Sequence, residues 1–459
     1  VGELKEPQVC GRDQNWPQRL APGEQPLDPA REIALYLHIP FCKSRCHYCD
    51  FPTQACAAAS ELPTRYVAAL VARVRAYGEA GLLRAVASVY VGGGTPSFLG
   101  PQLLGALLKE VRVWTPSARE VTFEANPDSL TPQVLAAAAA AGATRVSVGV
   151  QSFDPACLKL LGRVHTAAAA KEALECAASA GLDVSCDLMV AVPGQVPGDA
   201  RRSVEAALAA GATHVSVYPL QIEDGTRFAR RIDAGSMREV ESATAAAHME
   251  EAAAALEAAG LARYEVASYA RPGKRCVHNQ AYWTGVPYLG LGTGAASCVP
   301  PALYQALHAL PAGFAPAVPL PLMAPASARK PAGGARLDAL AREEPAPPVA
   351  RVRFTDVRTP EAFIAAQVDG AFELEWLSAR EAAAEDVMLA ARMTEGLTFA
   401  RVARAQAVLG AELVEATLSN LATSGFIAPA PFGWRVTSKG WLLGNELYGP
   451  LWDLHEHEG

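Results

Sequence analysis

Lysine is scarce in this chain: of 40 basic residues among 459, only eight are Lys, and 47 acidic residues leave a formal charge of −7. Phosphate backbones are gripped by clustered Lys and Arg, so this balance excludes a general nucleic-acid binder. No run of about 18 or more residues is both strongly apolar and uncharged, which excludes a membrane-spanning helix; the 51% apolar fraction owes much to alanine, as in the six alanines from Ala136 to Ala141. Cysteine is sparse as well, ten residues in all. A disulfide scaffold would be short and cysteine-dense, so a reducing compartment is expected: cytoplasm, mitochondrial matrix or plastid stroma. A signal peptide with an apolar centre is not visible, and the chain begins at Val1, as a fragment or a processed form would.

What is present reads as four segments. Residues 1–32 are rich in Pro, Gly, Gln and charge without apolar periodicity, and are expected to form a flexible arm. From 33 to 298, short β-rich runs (34–38, 88–91, 120–124, 145–150, 183–189 and 214–220) alternate with Ala/Leu-rich helical stretches. The helical stretches are 63–80, 101–113, 131–141, 167–180, 199–210 and 240–259, and several end at Gly, where a left-handed cap is wanted. Six strand–helix repeats with near-continuous apolar strands predict a parallel sheet covered by helices; six units suit a partial (β/α)6, TIM-like barrel of α/β class best, with a complete eight-fold barrel or an open doubly wound sheet as alternatives. Residues 299–350 read as an Ala/Pro-rich, low-complexity linker or insertion. Over 351–459, Ser378-Ala-Arg-Glu381 predicts a capping box, followed by further helices and a short hairpin. That succession suggests a small helical, winged-helix-like domain; its lysine-poor surface argues against DNA as its partner.

The chemistry concentrates in Tyr36-Leu-His-Ile-Pro-Phe-Cys42-Lys-Ser-Arg-Cys46-His-Tyr48-Cys49, directly after the first strand. Parallel α/β folds place their active sites at strand carboxyl ends. Three thiolates there could hold three irons of a four-iron cluster and leave one iron open; a zinc site completed by His38, His47 or Cys56 is the alternative.

Cys-x3-Cys-x2-Cys with an aromatic before the last Cys resembles the signature of radical S-adenosylmethionine (SAM) enzymes. Gly92-Gly-Gly-Thr-Pro96, Glu124-Ala-Asn-Pro127, Gly149-Val-Gln-Ser-Phe153, Gly162-Arg163-x-His165 and Asp187-Leu-Met follow in order. The series is similar to the branch holding oxygen-independent coproporphyrinogen III dehydrogenase and the HemW heme chaperones. The resemblance implies a [4Fe-4S] cluster on Cys42, Cys46 and Cys49, and SAM against Tyr36, Tyr48, Gly93, Gly94, Thr95, Glu124, Gln151, Arg163 and Asp187. The last three match positions that hold a second SAM in the oxidase.

Two features separate the branches. Oxidases carry a fourth cysteine where this chain has Phe51, and His278-Asn279-Gln-Ala-Tyr282-Trp283 matches the His-Asn-x-x-Tyr-Trp motif of HemW proteins. The resemblance therefore implies a heme chaperone with heme, client hemoproteins and an electron donor as partners, and His278, Asn279, Tyr282 and Trp283 as heme-binding candidates. The dehydrogenase, or another radical SAM enzyme of porphyrin metabolism, is the alternative, and no residue is assigned a catalytic role.

Overall fold

Strands with buried faces and helices with one apolar stripe can hide both only by layering. The computed structural model describes residues 25–57, 60–311, 349–365 and 373–456. The six expected strands are β1 (Ile33–Ile39), β2 (Val86–Gly93), β3 (Glu120–Ala125), β4 (Arg145–Gln151), β5 (Asp183–Val190) and β6 (His214–Pro219), paired in chain order and all parallel. Between them run α1 (Leu62–Glu79), α2 (Gly100–Trp114), α3 (Pro132–Ala140), α4 (Ala167–Ser179) and α5 (Asp199–Ala209), with α6 (Ser242–Ala258) after β6. Thr131 and Thr166 start α3 and α4 by accepting hydrogen bonds from the amides of Val134 and Ala169.

Each strand turns one set of side chains to the helices. Val121, Phe123, Val146, Val148, Val150, Val215 and Val217 are buried there against Leu104, Leu107, Leu108, Leu135, Leu174 and Leu256. Full burial of such a side chain stabilises the fold by about 1.5–3 kcal/mol. The opposite face departs from the expectation of near-continuous apolar strands. Thr122 and Glu124, then Arg145, Ser147 and Gly149, then Ser185 and Asp187, then His214, Ser216 and Tyr218 all line one cavity. The sheet therefore curves around a polar interior as an open (β/α)6 barrel. Branched apolar residues fill a closed eight-stranded barrel; here small polar ones leave it hollow.

The sheet continues past the six strands. β7 (Ser268–Ala270) and a two-residue strand, Ala262–Arg263, extend it antiparallel beyond β6. On the other flank β8 (Tyr288–Leu291) runs parallel to β1, followed by the antiparallel β9 (Ala296–Val299), β10 (Val349–Thr355) and β11 (Leu374–Ser378). The expected break at 298 thus falls inside a ladder, because β9 finds its second row of backbone partners on β10. The buried Arg73–Asp356 pair, 2.8 Å, ties α1 to the segment after β10.

The motif helix α7 (Val277–Trp283) precedes β8, and α8 (Pro301–His308) occupies the start of the expected linker. Residues 312–348 of that linker, and 1–24 of the arm, lie outside the described residues. Downstream, the capping box is present: Ser378 Oγ accepts from the Glu381 amide and Glu381 accepts from the Ser378 amide, opening α9 (Ala379–Ala390). That helix ends at Ala390, and the Thr394 amide bonds Tyr264 O. α10 (Phe399–Leu409), α11 (Ala411–Thr423) and a three-stranded sheet of β12 (Leu397–Thr398), β13 (Ile427–Ala430) and β14 (Gly433–Val436) complete a winged-helix-like unit with its own core. Among the described residues, no helix is long and apolar enough to cross a membrane.

Candidate functional site

The barrel cavity holds about 320 Å³ and opens at the carboxyl ends of the strands. The loop after β1 brings Cys42, Cys46 and Cys49 to its wall, all three as free thiols. Backbone pairing of Phe41 with Gln54 and Cys42 with Ala55 closes that loop on itself. Tyr48 anchors it, packing into the cluster of Leu161, Val192 and Phe228 while lining the cavity. Burial pushes the Cys42 thiol up to about 11, with the Thr95 hydroxyl opposing the shift, so iron must displace a proton there.

Zinc fits this loop poorly. Nδ1 of His38 accepts from the Tyr36 hydroxyl (3.0 Å) while Nε2 donates to Pro52 O, and Nε2 of His47 faces the Arg227 guanidinium while Nδ1 donates to Leu160 O. The thiol of Cys56 turns to Ala57 O. Among the described residues no three His, Cys, Asp or Glu side chains converge on one ion. A four-iron cluster asks for something different, one thiolate per iron.

Beside the cysteine loop, Gly93 ends β2 and Gly94 follows it. Gly93 has φ +110°, and a Cβ on Gly94 would lie 2.7 Å from Phe41 O, so only glycines let this segment pack against the cysteine loop. Glu124 accepts from the Gly93 amide and from the Tyr90 hydroxyl, both 2.9 Å. Burial and then the Asp187 carboxylate raise its pKa to about 7. Asp187, raised by burial to about 6, accepts from Ser147 at 3.1 Å. Gln151 lies in the left-handed region at φ 67°, an uncommon conformation for a non-glycine residue. Strain of that kind collects at functional sites. Arg163 donates to Cys46 Sγ at 3.3 Å and to Asn126 Oδ1 at 2.6 Å. Its Nε, like Thr122 Oγ1, is buried without a partner, which leaves polar capacity for a bound molecule. Donor set, glycine cradle and unspent polar atoms fit a four-iron cluster with SAM beside it.

The sequence-level candidates divide in two. Tyr48, Gly93, Gly94, Thr95, Glu124, Gln151, Arg163, Asp187 and Asn279 line the cavity with the cysteines. Tyr36 is set back, its hydroxyl held by His38 and its ring stacked 6.3 Å from Tyr90. His278, offered as a heme-binding candidate, is enclosed by the fold. The ring is 1% exposed, Nδ1 shares a hydrogen bond with Ser88 (3.1 Å), Nε2 with Tyr282 (3.3 Å), and its face stacks on Tyr90. Burial lowers its pKa to about 4, so the ring is neutral, but both nitrogens are already engaged. Tyr282 and Trp283 instead line a second cavity of about 420 Å³ with Val286, Tyr288, Cys298 and Arg351.

Sequence reasoning missed Tyr90, Asn126, Ser147 and Ser216, all on the cavity wall. The signal was the strict alternation in Arg145-Val-Ser147-Val-Gly149-Val and His214-Val-Ser216-Val-Tyr218. On parallel strands, usually buried on both faces, such alternation means one face lines a cavity.

A hollow parallel barrel with three cysteines after its first strand defines a radical SAM protein, and residues 36–207 match the radical SAM superfamily. The chain is 44% identical over 279 residues to "Heme chaperone HemW" of Mycobacterium tuberculosis, an alignment covering 60% of this chain and 71% of that one. It is 38% identical over 289 residues to "Radical S-adenosyl methionine domain-containing protein 1, mitochondrial" of Bos taurus, covering 62% and 63%. The chain belongs to the HemW family. Among solved structures, the coproporphyrinogen III oxidase HemN of Escherichia coli shares the fold with a TM-score of 0.67 over 93% of this chain and 91% of that one, at 19% identity.

Proposed function

We propose that this protein is a heme chaperone: it binds heme beside α7 and passes it to hemoproteins, with a [4Fe-4S] cluster and SAM held in the barrel. The observation that carries the reading is the position of α7. Its Asn279 lines the barrel cavity, while its Tyr282 and Trp283 line the second one. A porphyrin needs flat apolar walls and a cation near its propionates, and Trp283, Tyr282, Tyr288 and Arg351 supply both kinds of group. Phe51, 59% exposed, stands at the cavity mouth where oxidases carry a cysteine.

When bound, the cluster would supply one low-potential electron to SAM held beside it. The chain would do the rest: Cys42, Cys46 and Cys49 would hold the irons, Gly93 and Gly94 would line the methionine end of SAM, and Glu124 and Asp187 would offer carboxylates to its cationic sulfur. A one-electron donor protein and a reducing compartment, cytoplasm or organelle matrix, complete the reading.

Anaerobic incubation with coproporphyrinogen III and a reductant should leave the porphyrinogen unchanged while the protein retains added heme. Stoichiometric protoporphyrinogen with methionine release would replace the chaperone by the dehydrogenase.

The His278 geometry makes a separate forecast. Trp283→Ala is expected to weaken heme binding about tenfold, the equivalent of one aromatic contact of roughly 1.4 kcal/mol. His278→Gln should keep the Soret maximum in place; a displaced maximum puts the iron on His278.

SAM binding should also depend on pH. With its folded pKa raised to about 7, Glu124 is mostly protonated at pH 6 and ionises as pH rises. Only the ionised form attracts a sulfonium, so SAM affinity should rise about tenfold between pH 6 and 7.5. Glu124→Gln should flatten that profile, and an equally steep one in the variant would move the dependence to Asp187.

A further inference from the structure

We propose that Asn126 is a positioning residue that sets the reduction potential of the cluster, by holding hydrogen bonds onto two of its cysteine sulfurs. The inference rests on the cluster reading above and adds a residue to it. Asn126 follows β3 and lies between the two sulfurs. On one side its Nδ2 donates to Thr95 Oγ1 at 2.9 Å, and Thr95 Oγ1 donates to Cys42 Sγ at 3.4 Å. On the other its Oδ1 accepts from Arg163 Nη2 at 2.6 Å, and Arg163 Nη1 donates to Cys46 Sγ at 3.3 Å.

The direction of every bond in this relay is forced from the arginine end. A guanidinium only donates, so the amide must turn its oxygen to Arg163 and its nitrogen to Thr95. Receiving a proton from Asn126, the Thr95 hydroxyl has its own left for the sulfur. The packing leaves no slack, since a Cβ on Gly149 would stand 3.2 Å from Asn126 Oδ1 and 3.5 Å from Arg163 Nη2. The Asn126 amide also donates to Ser97 Oγ, which fixes the backbone.

Donors aimed at cluster sulfurs stabilise the reduced form, which carries one more negative charge, and so raise the potential. Asp at 126 would still accept from Arg163 but has nothing to donate. The Thr95 hydroxyl would then turn its proton to the new carboxylate and away from Cys42. Asn126→Asp and Thr95→Val should therefore strip the same sulfur of the same bond.

The test is a potentiometric titration of the reconstituted full-length protein without SAM, followed by the reduced-cluster EPR signal. Asn126→Asp and Thr95→Val are each expected to hold wild-type iron and sulfide but to move the midpoint to more negative potential. In the double variant, Thr95→Val should add little to the shift of Asn126→Asp. Unmoved midpoints with a full cluster, or shifts that simply add, overturn the proposal and leave the cluster reading intact. Should Asn126→Asp fail to hold iron, Asn126→Ser, which removes the bond to Thr95 without adding charge, takes its place, and an unmoved midpoint with a full cluster overturns the proposal. A wild-type protein that takes up no iron defeats the cluster reading itself.

Discussion

Cys46→Ala is expected to emerge from anaerobic reconstitution colourless, with iron and sulfide near zero against about four irons per chain in the parent. The loop offers three thiols to the cavity, and no histidine beside them is free to substitute, because His38 and His47 each have both nitrogens engaged. Two thiolates cannot hold four irons against exchange. The loop itself should survive, since Tyr48 anchors it among Leu161 and Phe228 and the Phe41–Gln54 pairing closes it without metal. Arg163 would lose a sulfur partner but keep Asn126. Cys56→Ala is the matched control: that thiol points to Ala57 O, and its loss should leave the iron content unchanged. A variant lacking Cys46 that keeps full iron and sulfide refutes the assignment; zinc in place of iron in the parent, lost on Cys46→Ala, revives the zinc alternative.

Much of the fold was legible because its signals are local. Six strands and six helices follow from periodicity, and the capping box at Ser378 follows from residue types at fixed spacing. The three cysteines were legible for the same reason, a short motif at a strand end. What stayed hidden depends on long-range pairing. Nothing in Ala296–Val299 announces that β10, some fifty residues on, supplies its second row of partners. His278 shows the same limit at the site. Its motif marks the helix, but only the fold reveals that Ser88, Tyr90 and Tyr282 enclose the ring. The Asn126 relay joins three separate segments after β1, β2 and β3 with Arg163, and no single stretch of sequence contains it.

Glu120→Ala is expected to cost about 3–5 kcal/mol, the range for removing one partner of a buried ion pair. Glu120 sits at the start of β3, four residues and roughly 13 Å below Glu124 along the strand. Its carboxylate accepts from Arg145 Nε and from the amides of Val277 and His278, each at 3.0 Å. Burial alone would raise its pKa, but Arg145 and these amides hold it below the usual range. The two amides open α7, which has no side-chain cap of its own, so Glu120 is the anion at that helix's N-terminus. Arg145 completes the grip by donating to Lys274 O and Arg275 O. Alanine would leave a buried guanidinium whose nearest carboxylate is Asp183 at 3.5 Å, and two helix amides without acceptors. Glu120→Gln keeps an acceptor and the shape, so about 1–3 kcal/mol is expected there. Chemical denaturation measures both. If α7 also carries the heme, Glu120→Ala should weaken heme binding while its iron–sulfur content stays near wild type, since the cysteines lie at the other end of the barrel. A loss below about 0.5 kcal/mol would mean that α7 is held by its packing alone.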